Sequence, residues 1–105
     1  MFQKGVISMT REEITDFLIL HKAELEYRFG VERIGLFGSY ARNTAEVESD
    51  IDISVVLKNE NIADSYFGVL HYLEDHLKHK IDLGLESSIR PEIREQIMKE
   101  IIYVL

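Results

Sequence analysis

Residues 35–57 of this chain read GLFGSYARNTAEVESDIDISVVL, and this stretch decides the fold. Its last segment, IDISVVL, alternates apolar and polar residues, so Asp52 faces away from the apolar row that contains Ile51 and Ile53. That alternation predicts a β-strand over 51–57. Acids stand at the start of this strand, although burying charge is costly unless something compensates it.

A strand and a helix are predicted ahead of this segment. VERIGLF is short and apolar and ends at Gly38, which is typical of a strand. Thr10 to Glu13 matches a capping box, in which the two side chains satisfy each other's backbone N–H groups. Apolar residues at helical spacing follow, so we predict a helix over 10–29.

The second half of the chain continues the alternation of helix and strand. Helical spacing of apolar residues predicts a helix near 62–78, and KIDLGL at 80–85 predicts a third strand. Pro91 suits the first turn of a last helix. The apolar tail IIYVL either completes the core or meets a partner. The order of elements predicts an α/β (α+β) fold, a small mixed sheet of three to four strands covered by helices.

Size and composition limit the function classes. With 105 residues, the chain fits a single domain over 1–105. Its net charge of −7 argues against direct binding of nucleic acid, which needs basic surface. It has no cysteine and no apolar run of about 20 residues, and because its N-terminal residues lack the apolar segment of a signal peptide, we expect no secretory signal. We therefore expect no disulfide, no membrane partner and a cytoplasmic location.

Three acids form a candidate metal site. Asp50 and Asp52 are two apart on a strand and share a face, and Asp82 repeats the pattern on the third strand. If these strands are neighbours, the three carboxylates converge. Two such charges about 6 Å apart repel by roughly 2.8 kcal/mol at an effective dielectric near 20, so either their pKa values shift or a cation binds. Carboxylate ligands alone suit Mg²⁺, with Mn²⁺ as a second candidate.

A Gly-Ser pair beside the acids is a candidate phosphate site. Gly38 lets the backbone approach a ligand closely. Ser39 is predicted to cap a short helix whose free N–H groups favour a phosphate, and Arg42, one turn later, would support the anion. Metal-binding acids beside a phosphate site indicate metal-assisted chemistry on a nucleoside triphosphate.

Each feature has an ordinary explanation when it stands alone. An Asp-x-Asp pair is often the polar face of a half-exposed sheet, Gly-Ser is usually a turn, and Asp82 alone would be a surface acid. His71, His76 and His79 fit a solvated helix end better than a transition-metal site. The combination of acids and Gly-Ser, in this order and on these elements, is far harder to obtain by chance.

The order of these motifs resembles the DNA polymerase beta-like nucleotidyltransferases. That signature is Gly-Ser, an intervening stretch, Asp-x-Asp and a third acid on a later strand. Here ten residues separate Gly38-Ser39 from Asp50-Ile51-Asp52, which is similar to the minimal nucleotidyltransferases. GSYAR, SDIDISVVL and the ending DLGLESSIRPEIREQIMKEIIYV resemble the MntA-type antitoxins, which are partners of HEPN-domain toxins of the HepT type. The likeness covers nearly the whole chain.

The resemblance implies roles for the matching residues. Asp50 and Asp52 would bind two Mg²⁺ ions, while Asp82 would complete one metal site and help to deprotonate the attacking hydroxyl. Gly38 and Ser39 would hold the β and γ phosphates of ATP. Tyr40, inside the signature, is the tyrosine best placed to touch nucleotide.

The resemblance also implies a partner and a reaction. The protein would form a hetero-oligomer with its cognate HepT-like HEPN toxin and transfer AMP from ATP to a tyrosine of that toxin, which silences its RNase activity. One departure is Asn43, where the family often has glycine. If that position needs a positive φ, Asn is the least costly substitute.

Three other functions compete with this prediction. An antitoxin could neutralise its toxin by occlusion alone. A nucleotidyltransferase for small molecules usually carries an added helical domain for the acceptor, for which this chain has no room. A template-dependent polymerase needs a duplex-binding face, which an acidic surface does not offer.

Overall fold

The computed structural model of the chain describes residues 9–58 and 60–104, which form a four-stranded mixed sheet and four α-helices. The predicted fold class is confirmed. In chain order the elements are α1 (Arg11–Phe29), β1 (Val31–Phe37), α2 (Gly38–Ala41), β2 (Ile51–Leu57), α3 (Ile62–Leu77), β3 (Ile81–Leu85), α4 (Pro91–Glu100) and β4 (Ile102–Val104). A 3₁₀ turn, Glu86–Ser88, joins β3 to α4.

The sheet order is β3-β2-β1-β4, so the strand that carries Asp52 lies in the interior of the sheet. β2 pairs antiparallel with β1 and parallel with β3, and the parallel pair is joined by the crossover helix α3. The register aligns Asp52 with Phe37 on one side and with Asp82 on the other. Strand pairing therefore places Asp52 next to Asp82 and next to Phe37, the residue that precedes Gly38.

The core lies between the sheet and the helices α1 and α3, which also pack against each other. Its most deeply buried apolar side chains come from these two helices and from β1 and β2: Ile14, Leu18, Leu25, Val31, Ile34, Leu36, Ile51, Ile53, Val55, Val69 and Leu73. In the described part of the chain, none of the helices is long and apolar enough to cross a membrane.

Helix α1 begins and ends as the sequence predicts. The N–H of Glu13 donates to Oγ1 of Thr10 at 3.0 Å, and the N–H of Thr10 donates to Oε1 of Glu13 at 2.9 Å. Both halves of the capping box are thus formed. At the other end Gly30 adopts a left-handed φ of 71° and directs the chain into β1.

Replacing Thr10 by Ala is expected to lower the free energy of unfolding by about 1 kcal/mol, because the N–H of Glu13 loses its acceptor. Urea denaturation followed by circular dichroism measures this. Thr15→Ala is the matched control, since the Thr15 hydroxyl only bonds carbonyls inside α1 and Ala is the better helix former. An equal loss in both variants would contradict a capping role.

The apolar tail completes the sheet. Residues Ile102–Val104 form β4, which pairs antiparallel with β1, and Val104 is buried; residue 105 lies outside the described residues.

Two predicted bounds shift slightly. Helix α3 ends at Leu77 because Lys78 adopts a left-handed φ of 51°, and β3 begins at Ile81.

Candidate active site

Asp52 and Asp82 face each other across the parallel pair β2 and β3. They are direct partners in the register, and adjacent strands lie about 4.8 Å apart. Asp52 is half-buried, whereas Asp82 is exposed at the edge strand of the sheet. The predicted convergence of the strand acids is therefore present for this pair.

The surroundings of Asp52 disfavour its negative charge. The pKa of Asp52 is raised to about 7, chiefly by burial and then by the charge of Asp82, a hydrogen bond with Asp82 and the charge of Asp50, while the positive charge of Arg42 lowers it. A substantial fraction of the Asp52 side chains is therefore protonated near neutral pH when no cation is bound.

Asp50 lies at the margin of this pair, just ahead of β2. Its carboxylate is 37% exposed, and its Oδ2 atom lies 3.9 Å from Nζ of Lys80. Its negative charge nevertheless contributes to the raised pKa of Asp52. Within residues 9–58 and 60–104, no three acidic or histidine side chains surround one point closely enough to hold an ion. The structure thus brings two of the predicted ligands face to face and leaves the third beside them, turned towards Lys80.

Gly38 packs against the carboxylate of Asp52. It follows Phe37, the β1 partner of Asp52, and has a φ of 76°. A Cβ atom at this position would collide with Oδ2 of Asp52 and lie 2.8 Å from its Cγ. Glycine is therefore required both by the backbone conformation and by the close approach of the acid.

The local role predicted for Ser39 is wrong. Ser39 lies inside α2 rather than at its N-cap, which is Phe37, and no side chain caps this helix. With only four residues, α2 offers little helix dipole for a phosphate. Ser39 nevertheless lines the same cavity as Gly38 and Asp52.

The predicted anion contact Arg42 lies at the mouth of this cavity but already has a partner. Its Nη1 atom donates to Oε1 and Oε2 of Glu100 at 3.0 and 3.1 Å. Glu100 also accepts the N–H of Gly38, at 2.8 Å. No sequence pattern predicted this carboxylate, which reaches the site from the last residue of α4. The next residue, Asn43, has a φ of 62°, so the positive φ anticipated at that position is present.

Tyr40 does not line this cavity. It is only 3% exposed, belongs to the core, and its hydroxyl lies 3.2 Å from Nε2 of His79. Burial also raises the pKa of its hydroxyl. This placement does not fit the predicted contact between Tyr40 and nucleotide. It also gives His79 a partner within the protein.

The cavity between α2, β2 and α4 has a volume of about 390 Å³. Part of its polar lining comes from Gly38, Ser39, Arg42, Asp52 and Glu100. Ile93, Gln96 and Ile97 of α4 form another part of the wall. Sequence patterns predicted α4 as a helix but not that this helix borders the site.

The donor chemistry of the acids fits a hard divalent cation. Asp52 and Asp82 offer only carboxylate oxygens, which Mg²⁺ and Mn²⁺ prefer. A cation between them would remove the repulsion that raises the pKa of Asp52. Asp50 would join as a further ligand by turning from Lys80, with which its contact is long and exposed.

The chain matches the nucleotidyltransferase domain family over residues 18–104. It belongs to this family. As a nucleotidyltransferase it is similar to the protein adenylyltransferase MntA of Thermococcus cleftensis, with 40% identity over 96 residues that cover 91% of this chain and 97% of the relative.

Solved structures share the fold of this nucleotidyltransferase. One is assigned as a minimal nucleotidyltransferase, with a TM-score of 0.76, 28% identity, and coverage of 92% of this chain and 98% of that chain. A second belongs to a toxin–antitoxin complex with AMP-PNP, with a TM-score of 0.65, 22% identity, and coverage of 83% and 72%. A third belongs to a complex of a tri-AMPylated Shewanella oneidensis HEPN toxin with an MNT antitoxin, with a TM-score of 0.59, 19% identity, and coverage of 87% and 71%.

Proposed function

We propose that this nucleotidyltransferase is an antitoxin that transfers AMP from ATP to a tyrosine of its cognate HepT-like HEPN toxin. The observation that carries the proposal is the Asp52–Asp82 pair packed against Gly38, in a cavity that also holds Ser39 and Arg42. The 40% identity to a protein adenylyltransferase along nearly its whole length supports AMP transfer to a protein. We assign the activity to a single domain over 1–105 that works in the cytoplasm, without contact to nucleic acid or membrane.

In this proposal the acids hold the metal and Gly38 and Ser39 hold the phosphates. Asp50, Asp52 and Asp82 would hold Mg²⁺, as two ions, and Mn²⁺ would serve in its place. A metal held there would supply positive charge that stabilises the α-phosphate and the departing pyrophosphate. Gly38 offers its backbone N–H, and Ser39 its hydroxyl, to the β and γ phosphates.

The reaction itself is a displacement at the α-phosphorus of ATP. The tyrosine oxygen of the toxin forms a bond to this phosphorus while the bond to the bridging oxygen of pyrophosphate breaks. Asp82, which is exposed at the edge of the sheet, accepts the proton of the tyrosine hydroxyl. Tyr40 has no part in this step, because it is buried and bonded to His79.

Catalysis and occlusion are separated by the double variant Asp50→Asn, Asp52→Asn. We expect this variant to bind the HEPN protein of the same genome but to fail to protect cells from it, because metal binding is lost while the overall surface stays the same. Growth of cells that express both proteins measures protection, and co-purification measures binding. Glu86→Gln, a carboxylate outside the cavity that pairs with Arg33, is the control that should protect fully. Protection by the double variant without modification of the toxin would favour occlusion instead.

A further inference from the structure

The carboxylate of Glu100 occupies the anion donors of the active-site cavity. Its Oε2 atom accepts the N–H of Gly38 at 2.8 Å, and both of its oxygens accept Nη1 of Arg42 at 3.0 and 3.1 Å. Its side chain is 14% exposed, so the carboxylate lies within the cavity wall rather than in open solvent. A single carboxylate thus accepts hydrogen bonds from the backbone of Gly38, at the start of α2, and from the side chain of Arg42, just after α2.

Among the described residues, the cavity offers little positive charge to a phosphate. Of the side chains that line the cavity, Arg42 is the one that carries a positive charge, while Asp52 and Glu100 are acidic. A triphosphate would bring further negative charge into this space. Arg42 and the N–H of Gly38 are then needed by the phosphates, yet in this structure Glu100 holds both.

We propose that Glu100 stands in for a phosphate group in the nucleotide-free protein, and that the triphosphate of ATP binds by displacing it. This inference rests on the proposed function, because it concerns the same cavity and the same ligand. A phosphate oxygen accepts hydrogen bonds from an amide and a guanidinium in the same way as a carboxylate oxygen does. Binding of ATP therefore has to offset the loss of the contacts to Glu100, which lowers the apparent affinity.

The position of Glu100 links this exchange to the edge of the sheet. Glu100 is the last residue of α4, and after Ile101 the chain enters β4, which pairs with β1. The side chain of Ile101 lies directly over Gly35 of β1, where an added Cβ would be 2.9 Å from its Cγ1. The backbone around Glu100 is thus held by packing, and we expect the exchange to be a rotation of its side chain alone.

The test compares the affinity for AMP-PNP with Mg²⁺ in three variants by isothermal titration calorimetry. Glu100→Ala should bind about tenfold more tightly than the unmodified protein, the size expected for a competing hydrogen bond to a charged group. Glu100→Gln, which keeps an acceptor but loses the charge, should fall between them. Glu86→Gln should be unchanged, since this carboxylate also pairs with an arginine but lies outside the cavity.

A second measurement separates displacement from a merely structural role. Without nucleotide, Glu100→Ala should unfold at a lower temperature, because Gly38 and Arg42 lose a partner, and yet bind AMP-PNP more tightly. A residue that only supports the site would weaken both. Equal or weaker binding by Glu100→Ala, while the unmodified protein binds normally, would overturn this inference and leave the proposed function standing. If neither the unmodified protein nor any variant bound AMP-PNP, both this inference and the proposed function would be overturned.

Discussion

Asp52→Asn is expected to abolish AMP transfer and, at the same time, to make the metal-free protein more stable. The loss of transfer should be roughly 10³-fold or more, since the variant removes a central metal-binding carboxylate that also packs against Gly38. The gain in stability follows from the raised pKa of Asp52, which reaches about 7 through burial and the charge of Asp82.

The pH dependence of this gain has a definite direction. A carboxyl group whose pKa is higher in the folded than in the unfolded protein contributes its stability at low pH and loses it as the pH rises. For Asp52 the loss begins near the ordinary value of 3.8 and is complete above about 7. Asn carries no charge at any pH, so the advantage of the variant is absent near pH 3.5, grows through pH 4–7 and is constant at pH 8.

Thermal unfolding in EDTA at pH 3.5, 5 and 8 measures this difference. We expect the variant to gain about 1–3 kcal/mol at pH 8, less than the full shift implies because solvent screens a half-buried carboxylate. Added Mg²⁺ should stabilise the unmodified protein but not the variant. A variant that is less stable at pH 8, or a difference that does not change with pH, would contradict the proposed electrostatics of the site.

Gly38→Ala is expected to damage both the fold and the reaction. The new Cβ would collide with Oδ2 of Asp52, and Ala at a φ of 76° carries backbone strain. The strain costs about 1–3 kcal/mol. Displacing a carboxylate by about 1 Å reduces transfer by roughly 10²-fold. Transfer rates and urea denaturation measure the two effects.

Gly84→Ala is the matched control for this change. Gly84 lies on β3 two residues after Asp82, and a Cβ built there meets nothing within 4 Å. We expect its transfer rate to be unchanged and its stability to be equal or slightly higher, because Ala restricts the unfolded chain more than Gly does. Equal losses in the two variants would show that glycine in general, rather than the contact between Gly38 and Asp52, is what the site needs.

Sequence patterns predicted most of the fold because its elements are specified locally. The capping box at Thr10, the alternation that begins at Ile51 and the proline at position 91 each act within a few residues, and each structure formed where its pattern predicted. The approach of Asp82 to Asp52 was also predictable, on the condition that β2 and β3 are neighbours, although their parallel direction and their register were not predicted.

The remaining features depend on contacts between distant parts of the chain. Glu100 reaches Gly38 across 62 positions of sequence, and nothing in the residues around Glu100 indicates this. Tyr40 is drawn into the core by packing and by His79, although its place in the motif suggested contact with nucleotide. Asp50 turns to Lys80, a choice between partners that spacing does not determine.

The most direct test of AMP transfer by this site uses ATP that is radiolabelled at either its α- or its γ-phosphate. The chain is incubated with Mg²⁺ and the HEPN protein of the same genome, and the protein products are separated by electrophoresis. We predict label on the HEPN protein from α-labelled ATP only, and none when Asp52→Asn replaces the unmodified chain. Label from γ-labelled ATP, or undiminished label with Asp52→Asn, would contradict the account.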